Sequence, residues 1–411
     1  MASIKLKHSG GNGVIIAAPT SNPASDKTLT LPSDVDGTVV SKDSSNSLQN
    51  IAGINGGQLG NRRININGAL NLAQRGTSFS STSGGNYFAD RYKVGFNTIS
   101  AGTCVTSQQT LSSSDAPYDL GFRKFGRLAL GQAGTAAGTS FIEVLHKFEG
   151  QDINASGWNH TSASSYITVS FWFRCSTNQT FYANLRSRDG TSQVYTFSFT
   201  ATGNNTWTKI TKTIPGNASV QIDNDNGAGL DCRIWIFAGT DYTASVTLDQ
   251  WRAYDTASRV PDMATTWLTA GASTIDFTGF QFEAGSSATD FEHRSYAQEL
   301  QLCKRYFQKM ERAAQEVYCT GYFESNTQGR YTLTFPVDLR TDPTITFTAA
   351  STFTNIHTGS LGTGTSMTTT STTPQTALVN CTVNSGGTDG QACLLASGVG
   401  QDSSISISAE L

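Results

Sequence analysis

TIDFTGFQFEAGSSATDFEHRSYAQELQLCKRYFQKM, residues Thr274–Met310, is the stretch in which the apolar period of the chain changes, and its reading decides the fold. Ile275, Phe277, Phe280 and Phe282 form an extended run with aromatic side chains on a buried face. Glu283-Ala284-Gly285-Ser286-Ser287 then breaks that run with turn chemistry. Ser295-x-x-Gln298 is a capping box, in which the Ser hydroxyl and the Gln side chain satisfy the first free backbone N–H groups of a helix. Beyond it, Tyr296, Leu300, Cys303, Phe307 and Met310 recur at steps of four and three. The spacing predicts a junction helix over 295–314 of about four turns, whose stripe forms a seam between copies of the chain or between its β regions.

Working outward, both flanks read as β. Charged residues make up only 14% of the 411, while Gly, Ser, Thr and Asn are abundant, so short strands with many turns are expected. From Phe88 to Phe282, strand patterns follow at short spacing with no helical stretch between them, which predicts a β-sandwich over 87–294. A smaller C-terminal β-sandwich is expected over 315–411. Its polar, Gly-rich stretches, His357 to Pro374 and Asn384 to Gly390, read as surface loops. Residues 1–50 hold short strand signals, Ile4–Lys7 and Lys27–Leu31, which cannot bury a core alone. Residues 51–86 scatter isolated aliphatics through polar residues, as a narrow shaft or a wrapped connector would.

Composition excludes several function classes. A net charge of −3 leaves no basic footprint for nucleic acid. The start MASIKLKHSGG has no apolar core, so no secretory export is expected. Seven scattered cysteines without a C-x-x-C pair predict buried reduced thiols rather than zinc or disulfides. Asp223, Asp225 and Asn226 are the best oxygen ligands for a calcium ion, but the spacing fails the EF-hand, and Asx-turns in a hairpin are the plainer reading. No cofactor is expected.

For chemistry, Glu143, Glu149, Asp249, Glu283 and Glu292 are the carboxylates from which a glycoside hydrolase would draw its pair, yet nothing in their spacing pairs them. No catalytic residue is assigned, and the expectation is a protein that is not an enzyme. For binding, Trp172, Trp235 and Trp251 fall within strand patterns and read as core. Trp158 and Trp267 lie nearer turns and are the candidates for stacking on a sugar.

One resemblance bears on this reading. QFEAG, a short turn and DFEHRSYAQELQLCKRYF (290–307) resemble the strand-to-helix junction of a domain in tail fibres and receptor-binding proteins of tailed bacteriophages. INGALNLAQRGTSF (66–79) with YFADRY (87–92), EGQDINASGW (149–158) with SYITVSFWFR (165–174), and FPVDLRTDPTITF (335–347) resemble its other segments in the right order. The resemblance implies a jelly-roll body like that of carbohydrate-binding modules. It also implies a homotrimeric virion tail fibre that docks by its N-terminus on tail or adaptor proteins and binds a host-surface glycan or outer-membrane protein. On that reading the far C-terminal end meets the host, with His357, Thr363, Asn384 and Asp389 in the two polar loops as contacts. The rival readings are a glycan-degrading tailspike and a carbohydrate-binding module of a cellular enzyme.

Overall fold

Alternation of apolar and polar residues with a period of two gives each strand one core-facing side. In strand Tyr166–Cys175, Ile167, Val169, Phe171, Phe173 and Cys175 all point inward and are at most 2% exposed. The computed structural model describes residues 61–81, 84–99, 104–384 and 386–411, together with the backbones of four short strands nearer the N-terminus. Met1–Ala52 and Gly53–Leu411 are separate units. In the first, Ser3–Lys7 pairs antiparallel with Gly13–Ala17, and Ser41–Lys42 with Leu48–Gln49. The strand expected at Lys27–Leu31 lies outside the described residues.

The second unit is mainly β and opens with a sandwich of two antiparallel sheets. One sheet runs in the order Trp251–Ala253, Gln193–Thr202, Asn178–Ser187, Ala228–Ala238, Ala136–Glu149, Tyr92–Ile99, Gly84–Ala89. The other runs Thr208–Pro215, Tyr166–Cys175, Ser273–Ala284, Lys124–Leu130, Cys104–Thr110, Ser78–Ser81. The chain passes back and forth between the sheets, as in a jelly roll. Aromatic rings fill the space between them: Phe171, Phe173, Phe181 and Phe199 form a cluster with paired centroids 5.1–6.5 Å apart in edge-on and stacked pairs.

Residues 61–76 lie along this body and not in a free shaft. Ile64 N–H donates to the Phe282 carbonyl at 2.8 Å and Phe280 N–H to the Gly68 carbonyl at 2.9 Å. Asn65 takes the place of a missing ladder partner. Its amide donates to the Phe280 carbonyl (2.8 Å) and its oxygen accepts from Phe282 N–H (3.0 Å). Leu70 and Leu72 are buried, so the sparse aliphatics serve the edge of the sandwich.

The helix is shorter than its sequence stripe. It spans Tyr296–Lys304, nine residues, and starts with the expected capping box between Ser295 and Gln298. Phe307 and Met310 belong instead to strand Phe307–Arg312, which pairs with Ser403–Ser408. The ladder to that distant strand begins two residues past Lys304, where Ala409 N–H donates to the Tyr306 carbonyl at 2.8 Å.

The C-terminal β region goes beyond a second two-sheet sandwich. Val317–Ser325, Gln328–Thr334, Thr376–Val383, Ser360–Thr372, Phe353–His357 and Ala392–Ser397 close into a six-stranded barrel. Phe307–Arg312, Ser403–Ser408 and Thr344–Phe347 form a three-stranded sheet beside it. The stretch expected as a long polar loop is thus largely a barrel strand, Ser360–Thr372, laddered to a neighbour on each side. Its threonines are β-branched and favour extended backbone, and removing the strand would open the barrel.

Candidate binding surfaces

The sandwich is tied to the helix and to the C-terminal β region by a seam of charges that are far apart in sequence. The guanidinium of Arg63, 1% exposed, pairs with Glu299 on the buried side of the helix, and Glu299 also accepts from the backbone N–H of Asn67. Arg305 chelates Glu149 through two hydrogen bonds of 2.7 and 2.8 Å. Burial pushes the Glu149 carboxyl up, but hydrogen bonds from Arg305 and Tyr306 with the Arg305 charge outweigh it and hold it below the usual glutamate range. Glu410 accepts from Arg75 at 3.1 Å and from Arg91, while Arg75 and Arg91 stack on the rings of Phe307 (3.6 Å) and Tyr306 (3.4 Å). Arg340 closes the seam by donating to the carbonyls of Asn226, Ala409 and Glu410 at 2.9–3.0 Å.

At one end of the barrel three connections meet. They are Asn326–Thr327, Thr358–Gly359 and 384–391, and Thr358 and Gly359 both adopt positive φ, as a tight hairpin turn requires. Gln391 ties two of them together, donating to the Thr358 hydroxyl at 2.7 Å and accepting from Thr388 N–H at 2.8 Å. Asn384 and Thr363 are joined by two hydrogen bonds of 3.0 Å. Asp389 is exposed with no partner among the described residues, and Leu361 is 44% exposed beside this rim. His357 is buried beneath it, edge-on to Phe323 at 4.9 Å, and offers no surface contact.

The tryptophan candidates move into the core. Trp158 is 3% exposed, its indole N–H turned to the Ser165 carbonyl at 3.3 Å, and Trp267 is fully buried. Proximity to a turn does not expose a large ring when the turn folds back over the sheet edge. On the predicted stripe, Tyr296 overhangs into solvent at 65% exposure and Leu300 is half-buried, while Cys303 packs against Ile66, Leu72 and Tyr306. Phe307 is buried and Met310 half-buried on their strand.

The carboxylates weighed for hydrolysis are all engaged. Glu143 accepts twice from Arg233 at 2.8 Å, and Asp249 pairs with Lys212 at 2.7 Å. Glu283 accepts from Thr289 and Gln281, and Glu292 from Arg63 N–H at 2.6 Å. Asp225 caps Gly227 N–H at 2.8 Å in an Asx-turn, and among the described residues no cluster of acidic, His or Cys side chains is arranged to hold a metal ion.

No protein-family model matches the chain, and no curated protein matches it in sequence. Among solved structures it is similar to the enzymatically active domain of tailspike protein 4 of bacteriophage CBA120, at 12% identity and TM-score 0.28 over 51% of this chain. The chain spans 21% of that tailspike's length. It is also similar to the family 11 carbohydrate-binding module from Clostridium thermocellum (8% identity, TM-score 0.24, 53% of this chain and 98% of that one). A third likeness is to the N-terminal cellulose-binding domain of Cellulomonas fimi β-1,4-glucanase C (12%, TM-score 0.23, 40% and 80%).

Proposed function

We propose that this chain is a receptor-binding fibre protein of a phage tail, a homotrimer that docks through its N-terminal unit on tail or adaptor proteins and meets a host-surface glycan or outer-membrane protein with the barrel rim. The observation that carries the reading is the division of labour along Gly53–Leu411. The sandwich is tied to the helix and to the chain just beyond it by buried ion pairs, and one end of the barrel gathers three connections whose exposed Thr and Asp side chains and glycine backbone sit on a closed frame. Such side chains give adaptable hydrogen bonding, and contacts that are weak singly gain strength from several copies. The engagement of every carboxylate weighed above supports binding without cleavage.

The test is attachment of fluorescently labelled protein to susceptible bacteria. Leu361→Asp with Asp389→Arg alters the exposed rim and leaves the core untouched, so the variant is expected to fold normally and to lose at least tenfold in attachment. Unchanged attachment by a folded variant overturns the rim assignment. New reducing ends released from host polysaccharide would instead favour the tailspike reading.

A further inference from the structure

A cleft of about 690 Å³ opens beside the helix, within the range of about 300–1,000 Å³ common for small-ligand sites. Gln298, Gln301, Leu302 and Arg305, spaced as one helical face, form one wall, opposite the face that buries Glu299 and Cys303. Val337 and Asp338, from the connection between Gln328–Thr334 and Thr344–Phe347, line it as well, together with Asn61 and the 292–294 segment.

Its hydrogen-bonding capacity is largely unspent. Among the described residues the side-chain amides of Asn61 and Gln301 have no partner. Gln298 uses its oxygen on Ser295 (3.1 and 3.0 Å) and leaves its NH₂ group unused. Glu292 and Asp338 each commit one oxygen, to Arg63 N–H at 2.6 Å and to the Gln375 amide at 3.1 Å, and keep the other. The cations, by contrast, are matched. Arg305 is chelated by Glu149, and Arg294 donates to the carbonyls of Arg63 and Asn65 and lies 3.9 Å from Glu299.

This inventory selects a ligand class. An anion would meet two carboxylates and no unpaired cation. A hydrocarbon would strand the amides without partners, at a cost of about 1–3 kcal/mol for each polar group left unsatisfied. A chain of neutral sugars answers both demands: vicinal hydroxyls both donate, to carboxylate and amide oxygens, and accept, from amide NH₂ groups, and the C–H face of a ring can rest on Leu302 and Val337, Leu302 being 36% exposed. We propose that the junction cleft is a binding site for a neutral oligosaccharide, separate from the barrel rim and independent of the rim reading.

The test is saturation-transfer NMR on the full chain with maltohexaose, cellohexaose and mannohexaose, with a hyaluronan hexasaccharide as the acidic probe and pentaalanine as the peptide probe. At least one neutral hexasaccharide is expected to bind, with affinity at least tenfold weaker in Gln301→Ala/Leu302→Ala. Both of these residues are exposed, so folding, checked by circular dichroism and melting, should hold. Leu361→Asp/Asp389→Arg should bind the sugar like the parent chain. Binding by none of the neutral probes, binding unchanged in the cleft variant, loss only in the rim variant, or preference for the acidic or the peptide probe overturns the proposal.

Discussion

The sandwich and the barrel solve the same packing problem with different mixtures of side chains. Two stacked sheets leave a gap of about 10 Å, which only large rings fill well, and the sandwich spends Phe88, Phe171, Phe173, Phe181, Phe197, Phe277, Phe280 and Phe282 on it. The barrel core packs Tyr331, whose hydroxyl takes hydrogen bonds from Asn355 and from the thiol of Cys393 (3.4 Å), among Phe323, Leu333, Phe353, Val379 and Leu395, and two glycines of the wall lie against the tyrosine. A Cβ on Gly329 would come within 2.2 Å of the Tyr331 oxygen, and one on Gly321 within 2.5 Å of its ring. The sandwich core is therefore held by rings stacked between two sheets, and the barrel core by apolar side chains fitted around a tyrosine for which two glycines make room.

Four substitutions break or sharpen that contrast, in falling order of effect. Phe280→Ala empties a fully packed position between the sheets and should cost about 3–5 kcal/mol in denaturant unfolding. A loss below about 1 kcal/mol would show that the sandwich interior collapses freely and that ring volume is not what holds it.

Arg305→Met removes the partner of a Glu149 side chain that is fully buried, and about 3 kcal/mol should follow. The effect carries a pH signature. The folded-state carboxyl lies below the ordinary value of about 4.3, so its contribution is present above that pH and lost as pH falls through the depressed folded value. The difference in melting temperature between parent and variant should thus be constant near neutrality and shrink below about pH 4. A difference independent of pH would mean the pair is not held as ions.

Gly329→Ala adds a single methyl group to the barrel and should cost about 1–3 kcal/mol by overpacking against Tyr331. Pairing it with Tyr331→Phe, which removes the obstructing oxygen, should recover part of the loss. If the single change is neutral, the barrel is looser than described. Thr368→Ala, on the exposed outer side of Ser360–Thr372, should fall within about 0.5 kcal/mol of the parent.

The same contrast explains what the sequence made legible. Strands such as Tyr166–Cys175 and Thr376–Val383 stand out because large apolar residues alternate with polar ones. Ser360–Thr372 does not, since its inward residues include Gly362 and Gly364 and so carry no hydrophobic signal, and Thr, Ser and Gly are also what loops are made of. The capping box located the start of the helix. Past its end the chain pairs with Ser403–Ser408, about a hundred residues away, which no local pattern records. The seam was hidden for the same reason: Arg63 and Glu299 are 236 positions apart. Of the rim residues, Thr363, Asn384 and Asp389 were brought to one end of the barrel, His357 was placed beneath it, and the tryptophans were misplaced because turn proximity says nothing about depth.

The most direct test of the fibre reading is the mass of the intact protein by native mass spectrometry at micromolar concentration. The chain weighs 43.8 kDa, and the account predicts a single species at three times that mass. A species at 43.8 kDa under conditions where the protein is folded would contradict it.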